Sequence, residues 1–393
     1  MADEENRYRL GEGMKRDIVI IGGGASGLFL SSLLPSSLLL EKNNMVGKKL
    51  LLTGGGKCNL THDGEEREIV THYYEKKRFV SPSIYTFGPQ KIREYFSSLS
   101  LDTFIRDDGK IFPVTERSID VVRALQNGDI QLNTKVISVK REDDYFVVVT
   151  DRGTIESKKV VFATGGASFP QTGSDGEALS LLSFMGHKII PPRPALCGLK
   201  VKEDMGRIEG ITVENVTIKY KKIKKEGSLL FTRSGISGPE ILNLSREIEN
   251  DDKIEISLSP FPPSEIFHLK GNMKATNALH ESTLLPYRLL EERLGWGEKK
   301  IGELSKKDSE TYRDRIFQWT PQVSTKGMLT SSMVTKGGVD TLEVDPATFQ
   351  SKLIPGLWII GEALDVDGEC GGYNLTFAFA SAYSAYKSII KAN

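Results

Sequence analysis

Short apolar runs that lead into glycine are the most regular pattern in this chain. Residues 18–21 are Ile, Val, Ile and Ile, a run that predicts a parallel strand buried on both faces. Residues 28–34 are mostly apolar and predict a helix that ends before a proline. Residues 38–40 are three leucines that predict a second short strand, which ends at Glu41. This order of elements predicts an α/β fold of the Rossmann type.

The glycines after the first strand match a nucleotide-binding fingerprint. Gly22, Gly24 and Gly27 have the spacing G-x-G-x-x-G. The first glycine permits a sharp turn, the second leaves space for a pyrophosphate, and the third lets helix and strand pack closely. The helix start then offers free amides and the positive end of a dipole to the phosphates. Glu41 follows at about the distance where an acid binds ribose hydroxyls, which favours FAD or NAD over NADP.

Two later segments repeat the arrangement of a strand that runs into glycines. Residues 159–162 predict a buried strand that leads into Ala-Thr-Gly-Gly, and residues 357–360 predict another that leads into a glycine-rich stretch ending at Asn374. A helix is predicted after it over residues 375–391, with Asn374 as its N-cap. Two glycines before that helix would let the backbone approach a flat ring. Three such loops suggest one long ligand, which FAD fits better than NAD.

Three consecutive glycines at residues 54–56 lie between a basic pair and an Asn-Leu-Thr segment. Two interpretations remain open. The segment is either a flexible surface loop or a backbone cradle over a planar or phosphorylated ligand, with Lys48 or Lys49 near phosphate.

The middle of the chain has a different character. Prolines at 191, 192 and 194 suggest a linker-like break. Further elements are predicted as strands at 213–220, 228–232, 254–258 and 339–344, a helix at 240–249, and a mostly helical stretch at 264–319. The basic run 219–225 could indicate nucleic acid, but no aromatic platform accompanies it, so a solvated hairpin is the preferred interpretation.

Composition excludes several classes of protein. Among 393 residues, Lys plus Arg and Asp plus Glu both total 52, and this zero net charge argues against nucleic-acid or membrane-surface binding. Three scattered cysteines, without metal or disulfide spacing, fit a reducing cytoplasmic setting and predict no metal site. The five histidines are isolated in sequence and are expected to be structural or exposed. The polar residues before Met14 lack periodicity, so Met14 is a candidate for the natural start.

Four motifs together resemble the FAD-dependent oxidoreductase family that includes aminoacetone oxidase and the BaiN-type flavoproteins. They are G-K-K-x-L-x-T-G-G-G-K-C-N-L-T at 47–61, A-T-G-G-A-S-F-P-Q-T-G at 163–173, L-F-T-R-S-G-I-S-G-P at 230–239, and the segment 355–374. The resemblance implies a Rossmann-type FAD domain built from both chain ends, residues 14–190 and 339–393. It also implies an inserted β-rich domain, residues 191–262 and 323–338, with a nested helical segment at 263–322.

The resemblance also implies roles along a non-covalent FAD. The first glycine loop and Glu41 would bind the ADP half, Val136 would meet adenine, and Glu362 would meet the ribityl or pyrophosphate region. Residues 371–375 would lie by the isoalloxazine ring. The predicted cofactor-binding residues are Gly22, Gly24, Ala25, Ser26, Gly27, Glu41, Lys42, Lys48, Thr53, Gly55, Asn59, Val136, Thr164, Gly165, Gly166, Gly361, Glu362, Asp365, Gly371, Gly372, Tyr373, Asn374 and Leu375.

The sequence does not identify the catalytic groups. Arg233 stands where the family commonly has histidine, and Cys370 lies in the last loop; these two are the candidates. The preferred hypothesis is an oxidoreductase acting on a small amine, carbonyl or enone substrate, with electrons exchanged with oxygen or with NAD(P)H as a transient co-substrate. The alternative is a non-catalytic FAD-binding protein whose insert binds a macromolecular partner. The oligomeric state is not predicted.

Overall fold

The computed structural model describes residues 14–268 and 271–391, so the polar residues before Met14 lie outside the described part. The chain divides into two compact units. The first extends to Arg193 and resumes at Met333, and the second is Pro194–Ser332. The division of the second unit into a β-rich domain and a nested helical segment remains a prediction.

The elements of the described residues are given in chain order. The strands are β1 (Met14–Ile21), β2 (Leu38–Leu40), β3 (Thr61–His62), β4 (Thr103–Ile105), β5 (Lys110–Pro113), β6 (Asp129–Gln131), β7 (Val136–Glu142), β8 (Tyr145–Thr150), β9 (Gly153–Phe162), β10 (Ile189–Ala195), β11 (Leu199–Val201), β12 (Thr212–Tyr220), β13 (Ile223–Thr232), β14 (Gly235–Ser237), β15 (Glu255–Ser257), β16 (Val323–Lys326), β17 (Val334–Val339) and β18 (Leu357–Ile359). The α-helices are α1 (Ala25–Leu33), α2 (Glu66–Ile69), α3 (Lys77–Thr86), α4 (Pro89–Ser98), α5 (Ser118–Leu125), α6 (Glu177–Phe184), α7 (Pro239–Leu244), α8 (Pro263–Ile266), α9 (Ala275–Thr283), α10 (Tyr287–Leu294), α11 (Lys306–Tyr312) and α12 (Tyr373–Lys391). Short 3-10 segments include Leu50–Gly56 and Val70–Lys76.

A seven-stranded sheet organises the first unit. Its order is β6-β2-β1-β9-β8-β7, with β18 also paired to β9. The strands β6, β2, β1, β9 and β18 pair with one another in parallel. On its other edge the sheet continues as an antiparallel meander, in which β9 pairs with β8 and β8 with β7. Val19 pairs with Leu38 on one side and Val160 on the other, and all three are at most 2% exposed. Burial on both faces explains why these strands have no polar alternation.

Helices α1 and α12 cover this sheet through an aromatic cluster. The ring of Phe29 lies 5.1 Å from that of Phe379 and 4.7 Å from that of Tyr95. Both phenylalanines are fully buried, which removes a large apolar area from water. The first and last helices of the described chain therefore share one core, and the fold confirms the predicted Rossmann-type α/β class.

The second unit is built on a six-stranded antiparallel sheet with the order β15-β12-β13-β14-β11-β16. The predicted hairpin around residues 219–225 is confirmed, because β12 and β13 pair from Thr212–Leu230 to Tyr220–Ile223. The helices α8 to α11 share its core, in which Phe231 and Trp319 lie 5.8 Å apart.

Three predicted elements differ from the structure. The prolines at 191–194 lie inside β10, which pairs with β17, and not in an irregular linker. An edge strand tolerates prolines because one side of its backbone needs no ladder bond. The strand predicted at 339–344 instead ends at Val339 as β17, and the helix predicted at 240–249 is the shorter α7. Among the described residues, no helix has the length and apolarity needed to span a bilayer.

Candidate functional site

The first glycine loop joins β1 to α1 with almost no space left around two of its glycines. Gly22 has a φ of +106°, and a Cβ there would lie 2.6 Å from the carbonyl oxygen of Ala163. A Cβ on Gly27 would lie 1.9 Å from the carbonyl oxygen of Gly22. The chain itself therefore requires both glycines, one for the turn and one for the close packing of helix on strand.

Gly24 is different, because the protein leaves the space beside it open. A Cβ there would meet only the carbonyl oxygen of Ala163, at 4.0 Å. Gly24 is also the N-cap of α1, and no side chain of the described residues caps this helix start. The first intrahelical bond runs from the amide of Leu28 to the carbonyl of Gly24, which leaves the preceding amides of the first turn for another acceptor. Open space beside free amides fits a pyrophosphate.

Glu41 lies at the end of β2 and is only 8% exposed. Its Oε2 accepts the Gly23 amide at 2.8 Å, and its Oε1 accepts the backbone and side-chain amides of Asn43 at 2.8 and 2.7 Å. A carboxylate has about four acceptor sites, so one remains after these three bonds. The Thr134 amide donates to the Glu41 carbonyl at 2.9 Å, which places the start of β7, with Val136, beside this acid.

The loop after β9 contains a buried hydroxyl without a partner. The Oγ1 of Thr164 is shielded from solvent and hydrogen-bonds with no described residue. The same is true of the Oδ1 of Asn59, in the loop before β3. Buried polar atoms normally have a hydrogen-bond partner. Two buried atoms without one, each in a predicted cofactor loop, therefore fit a bound group that carries hydroxyls and ring heteroatoms. These two unpartnered atoms, together with the open space beside the free amides at Gly24, show that the residues present suit an adenine dinucleotide. FAD binding at each predicted position remains a prediction.

Glu362 organises the third loop through bonds that sequence reasoning missed. Its carboxylate accepts from Nζ of Lys49 at 2.7 Å, from Oγ of Ser168 at 3.0 Å and from the amide of Thr335 at 2.8 Å. Lys48 instead bonds to Asn43 at 3.2 Å. The sequence offers Lys48 and Lys49 as alternatives for a contact with phosphate, but Ser168 and Thr335 belong to no recognisable motif role.

The other predicted residues in these loops occupy defined places. Lys42 pairs with Asp175 at 2.7 Å, and Asp365 pairs with Lys76 at 2.5 Å. Thr53 donates to the Leu50 carbonyl at 2.6 Å. Glycines 54, 55 and 56 have φ values of +57°, +66° and +89°, and a Cβ on the last two would meet nothing within 4 Å. Gly55 and Gly56 therefore need glycine for their left-handed conformation and not for lack of space, whereas a Cβ on Gly54 would also lie 2.9 Å from the Asn59 amide nitrogen.

The start of α12 differs from the prediction. The helix begins at Tyr373, and Asn374 is inside its first turn. The Asn374 side chain accepts from the Gly368 amide and donates to the Gly368 carbonyl, both at 2.9 Å. The predicted N-cap role of Asn374 and the start at Leu375 are therefore wrong, because an amide side chain that can both donate and accept closes the preceding loop instead.

The two glycines before α12 leave no space for a side chain of their own. A Cβ on Gly372, where φ is +104°, would lie 2.7 Å from the Thr61 carbonyl oxygen. A Cβ on Gly371 would lie 2.8 Å from the Tyr373 ring. The fold therefore requires glycine at both positions. A role of residues 371–375 beside the isoalloxazine stays a prediction.

The histidines are less isolated than the sequence suggested. The imidazoles of His62 and His72 both stack on the ring of Tyr373, and the pKa of this tyrosine is raised by burial and then by the nearby Glu369 and Cys370. Only the fold brings these residues together, and no spacing signal could have found them.

The two candidate catalytic residues lie in different units. Arg233 is exposed in the turn between β13 and β14, and Cys370 is half-buried in the loop before α12. The pKa of the Cys58 thiol is raised to about 12 by burial, against a smaller lowering by its hydrogen bond with Thr53, so this thiol is neutral. Across residues 14–268 and 271–391, no three metal-ligating side chains converge on one point.

The fold and the loop geometry define a Rossmann-type protein whose first loops suit a dinucleotide. The family described as the HI0933-like protein Rossmann domain matches residues 16–388, and the chain belongs to this family. It is similar to the 3-dehydro-bile acid delta(4,6)-reductase of Clostridium scindens, with 30% identity over 84% of this chain and 87% of the relative. It is also similar to the ribosomal RNA dihydrouridine synthase of Haemophilus influenzae, with 30% identity over 85% and 87% of the two chains.

One solved structure shares the fold at low identity. The 3-ketosteroid delta1-dehydrogenase from Sterolibacterium denitrificans superposes with a TM-score of 0.53 at 10% identity, covering 96% of this chain and 100% of that chain. The family membership confirms an FAD-dependent oxidoreductase and disfavours the non-catalytic alternative.

Proposed function

We propose that this protein reduces a carbon–carbon double bond conjugated to a carbonyl group in a small organic substrate, with NAD(P)H as the electron donor. The observation that supports a bound dinucleotide is the open, uncapped start of α1 at Gly24 beside the fixed carboxylate of Glu41. The names of two similar proteins, a delta(4,6)-reductase and a dihydrouridine synthase, support the chemistry, since both describe saturation of a double bond next to a carbonyl.

FAD, when bound, supplies a two-electron carrier, and the protein supplies position and electrostatics. The amides at the start of α1 and the orphan hydroxyl of Thr164 would hold the dinucleotide half. The Lys49–Glu362 pair, each 22% exposed, would set the charge in the third loop. A paired lysine leaves little net charge there, which suits a neutral substrate better than a dianion.

The test is anaerobic. The purified protein should contain FAD that denaturation releases, and NADH or NADPH should bleach the flavin absorbance. Reoxidation is then followed with a simple enone and with oxygen as separate additions, and a primary amine is added to a separate sample of the oxidised protein. Fast reoxidation by the enone supports the proposal. Bleaching by the amine in place of NAD(P)H would support the oxidase alternative, and a protein that neither contains nor takes up FAD would refute both.

A second candidate substrate is uridine within RNA. Two similar proteins are named ribosomal RNA dihydrouridine synthases, one from Escherichia coli and one from Haemophilus influenzae. The basic hairpin gives this candidate little support, because Lys219 pairs with Glu255 and Lys224 with Glu226, both at 2.7 Å. Uridine-containing RNA is therefore added as another oxidant of the reduced protein. Reoxidation by RNA with none by enones would favour this candidate.

A further inference from the structure

A cluster of titratable side chains lies beside the loop that precedes α12. The buried ring of Tyr373 stacks on the imidazole of His72, with centroids 4.0 Å apart and planes at 13°. The imidazole of His62 also stacks on this ring, with centroids 5.2 Å apart and planes at 16°. The Tyr73 hydroxyl donates to the Tyr373 carbonyl at 2.6 Å. Glu369 completes the cluster, with its Oε2 2.7 Å from Nδ1 of His72.

The bond to Glu369 leaves one nitrogen of His72 available. A carboxylate accepts only, so Nδ1 of His72 donates to Glu369 and Nε2 is the nitrogen left to bond with another group. Nε2 hydrogen-bonds with no residue in the described ranges, and the side chain is 32% exposed. His187 provides a contrast, since its Nδ1 bonds to Glu343 and its Nε2 to Ser351, which leaves no free nitrogen.

The backbone beside His72 is held in a costly conformation. Tyr74 has φ +49° and ψ −124°, a region that non-glycine residues rarely adopt. Such strain persists only where the surroundings fix the chain, and it is concentrated at functional sites. The nearest cation on the same segment, Lys76, is paired with Asp365 at 2.5 Å. The groups that face His72 from the other packed elements are Glu369 in the loop and Tyr373 in α12, and Cys370 in turn lies near Tyr373.

We propose that His72 is the proton-transfer group of this enzyme and that Glu369 is its positioning residue. This inference rests on the proposed reductase function. Saturating the double bond requires a hydride at one carbon and a proton at the other. The reduced cofactor, when bound, would supply the hydride with its electron pair. The proton leaves Nε2 of the His72 imidazolium and forms the second C–H bond, and solvent then reprotonates the neutral imidazole. Glu369 stays ionised throughout and keeps the proton on Nδ1.

The first test does not depend on a substrate. The visible absorbance of the FAD-loaded protein is titrated between about pH 5 and pH 8, where histidine is the side chain that changes charge. We expect a one-proton spectral transition that is lost in His72→Gln. His280→Gln is the matched control, because His280 also stacks on a tyrosine, Tyr287, at 3.8 Å but bonds to a carbonyl and not to a carboxylate. A transition that is absent from the wild type, or persists in His72→Gln, would overturn the proposal.

The positioning role of Glu369 has its own readout. Nitrogen-15 chemical shifts of the His72 imidazole report which nitrogen carries the proton in the neutral ring. We expect the proton on Nδ1 in the wild type and on Nε2 in Glu369→Leu, with the FAD content unchanged. The same tautomer in both proteins would show that Glu369 does not set it.

A single-turnover experiment separates this inference from the proposed function. The anaerobically reduced protein is mixed with 2-cyclohexen-1-one, and the return of flavin absorbance is timed. His72→Gln should slow the return by about 100-fold or more, the usual contribution of a general acid. An unchanged rate refutes the role of His72. If the wild type does not react, the enone proposal fails, and the spectral titration still decides whether His72 ionises beside the cofactor.

Discussion

Replacing Glu41 by glutamine tests whether this carboxylate fixes the first cofactor loop. Its Oε1 accepts two amides of Asn43, so the single oxygen of a glutamine would turn towards Asn43. The new NH₂ group would then face the Gly23 amide, which now donates to Oε2 at 2.8 Å in a buried position. A buried donor left without an acceptor costs about 1–3 kcal/mol. The free energy of unfolding of the FAD-free protein should fall by that amount.

The same change should weaken FAD binding separately. The remaining acceptor site of Glu41 is the one predicted to meet the ribose hydroxyls, and losing a charge-assisted bond there costs about 1–3 kcal/mol, or roughly 5- to 150-fold in Kd. Urea unfolding of the FAD-free protein and flavin fluorescence titration measure the two effects. Glu255→Gln is the control, because this exposed partner of Lys219 should change stability by less than about 1 kcal/mol. A Glu41→Gln protein as stable as the control would refute the reasoning.

Three further predictions use the same loops. Gly24→Val should abolish FAD binding with the fold intact, whereas Gly27→Val should prevent folding, since its Cβ would lie 1.9 Å from a carbonyl oxygen. Iodoacetamide at about pH 8 should label Cys370, which is half-buried, and leave Cys58 unlabelled, because burial raises the pKa of that thiol to about 12. Lys49→Met should destabilise the protein by about 1–3 kcal/mol by removing the cation paired with a largely shielded carboxylate.

Each of these predictions has an outcome that contradicts it. Circular dichroism and FAD release distinguish the two glycine variants, and a folded Gly27→Val protein would show that the loop can rearrange. Mass spectrometry of the alkylated native protein locates the label, and modification of Cys58 before Cys370 would contradict the burial argument. For Lys49→Met, Lys42→Met is the control, because Lys42 and Asp175 form a more exposed pair at 2.7 Å. Equal losses in the two variants would contradict a special role for Lys49.

Much of the first unit could be predicted from the chain because its signals are local. Apolar runs without alternation predicted β1 and β18, and the glycine spacing predicted the turn into α1. Steric demands of this kind act between residues a few positions apart, so the sequence expresses them directly. The strands predicted at 213–220 and 228–232 likewise bracket the hairpin, and the acidic partners of its lysines explain why the basic run is a solvated surface.

Tertiary pairing decided the rest. The prolines before residue 195 suggest a linker locally, yet β17 supplies a partner strand, and a sequence cannot show whether a partner exists. Asn374 has a side chain suited to an N-cap, but the backbone of Gly368 lies close enough to compete for it. His72 and Glu369 are 297 positions apart, and periodicity carries no information about such a contact. The sequence by itself determined the strands β1, β2, β9 and β18, the first glycine turn and the class of cofactor. The packing of distant loops determined which side chains meet, because contact depends on the folded backbone and not on spacing along the chain.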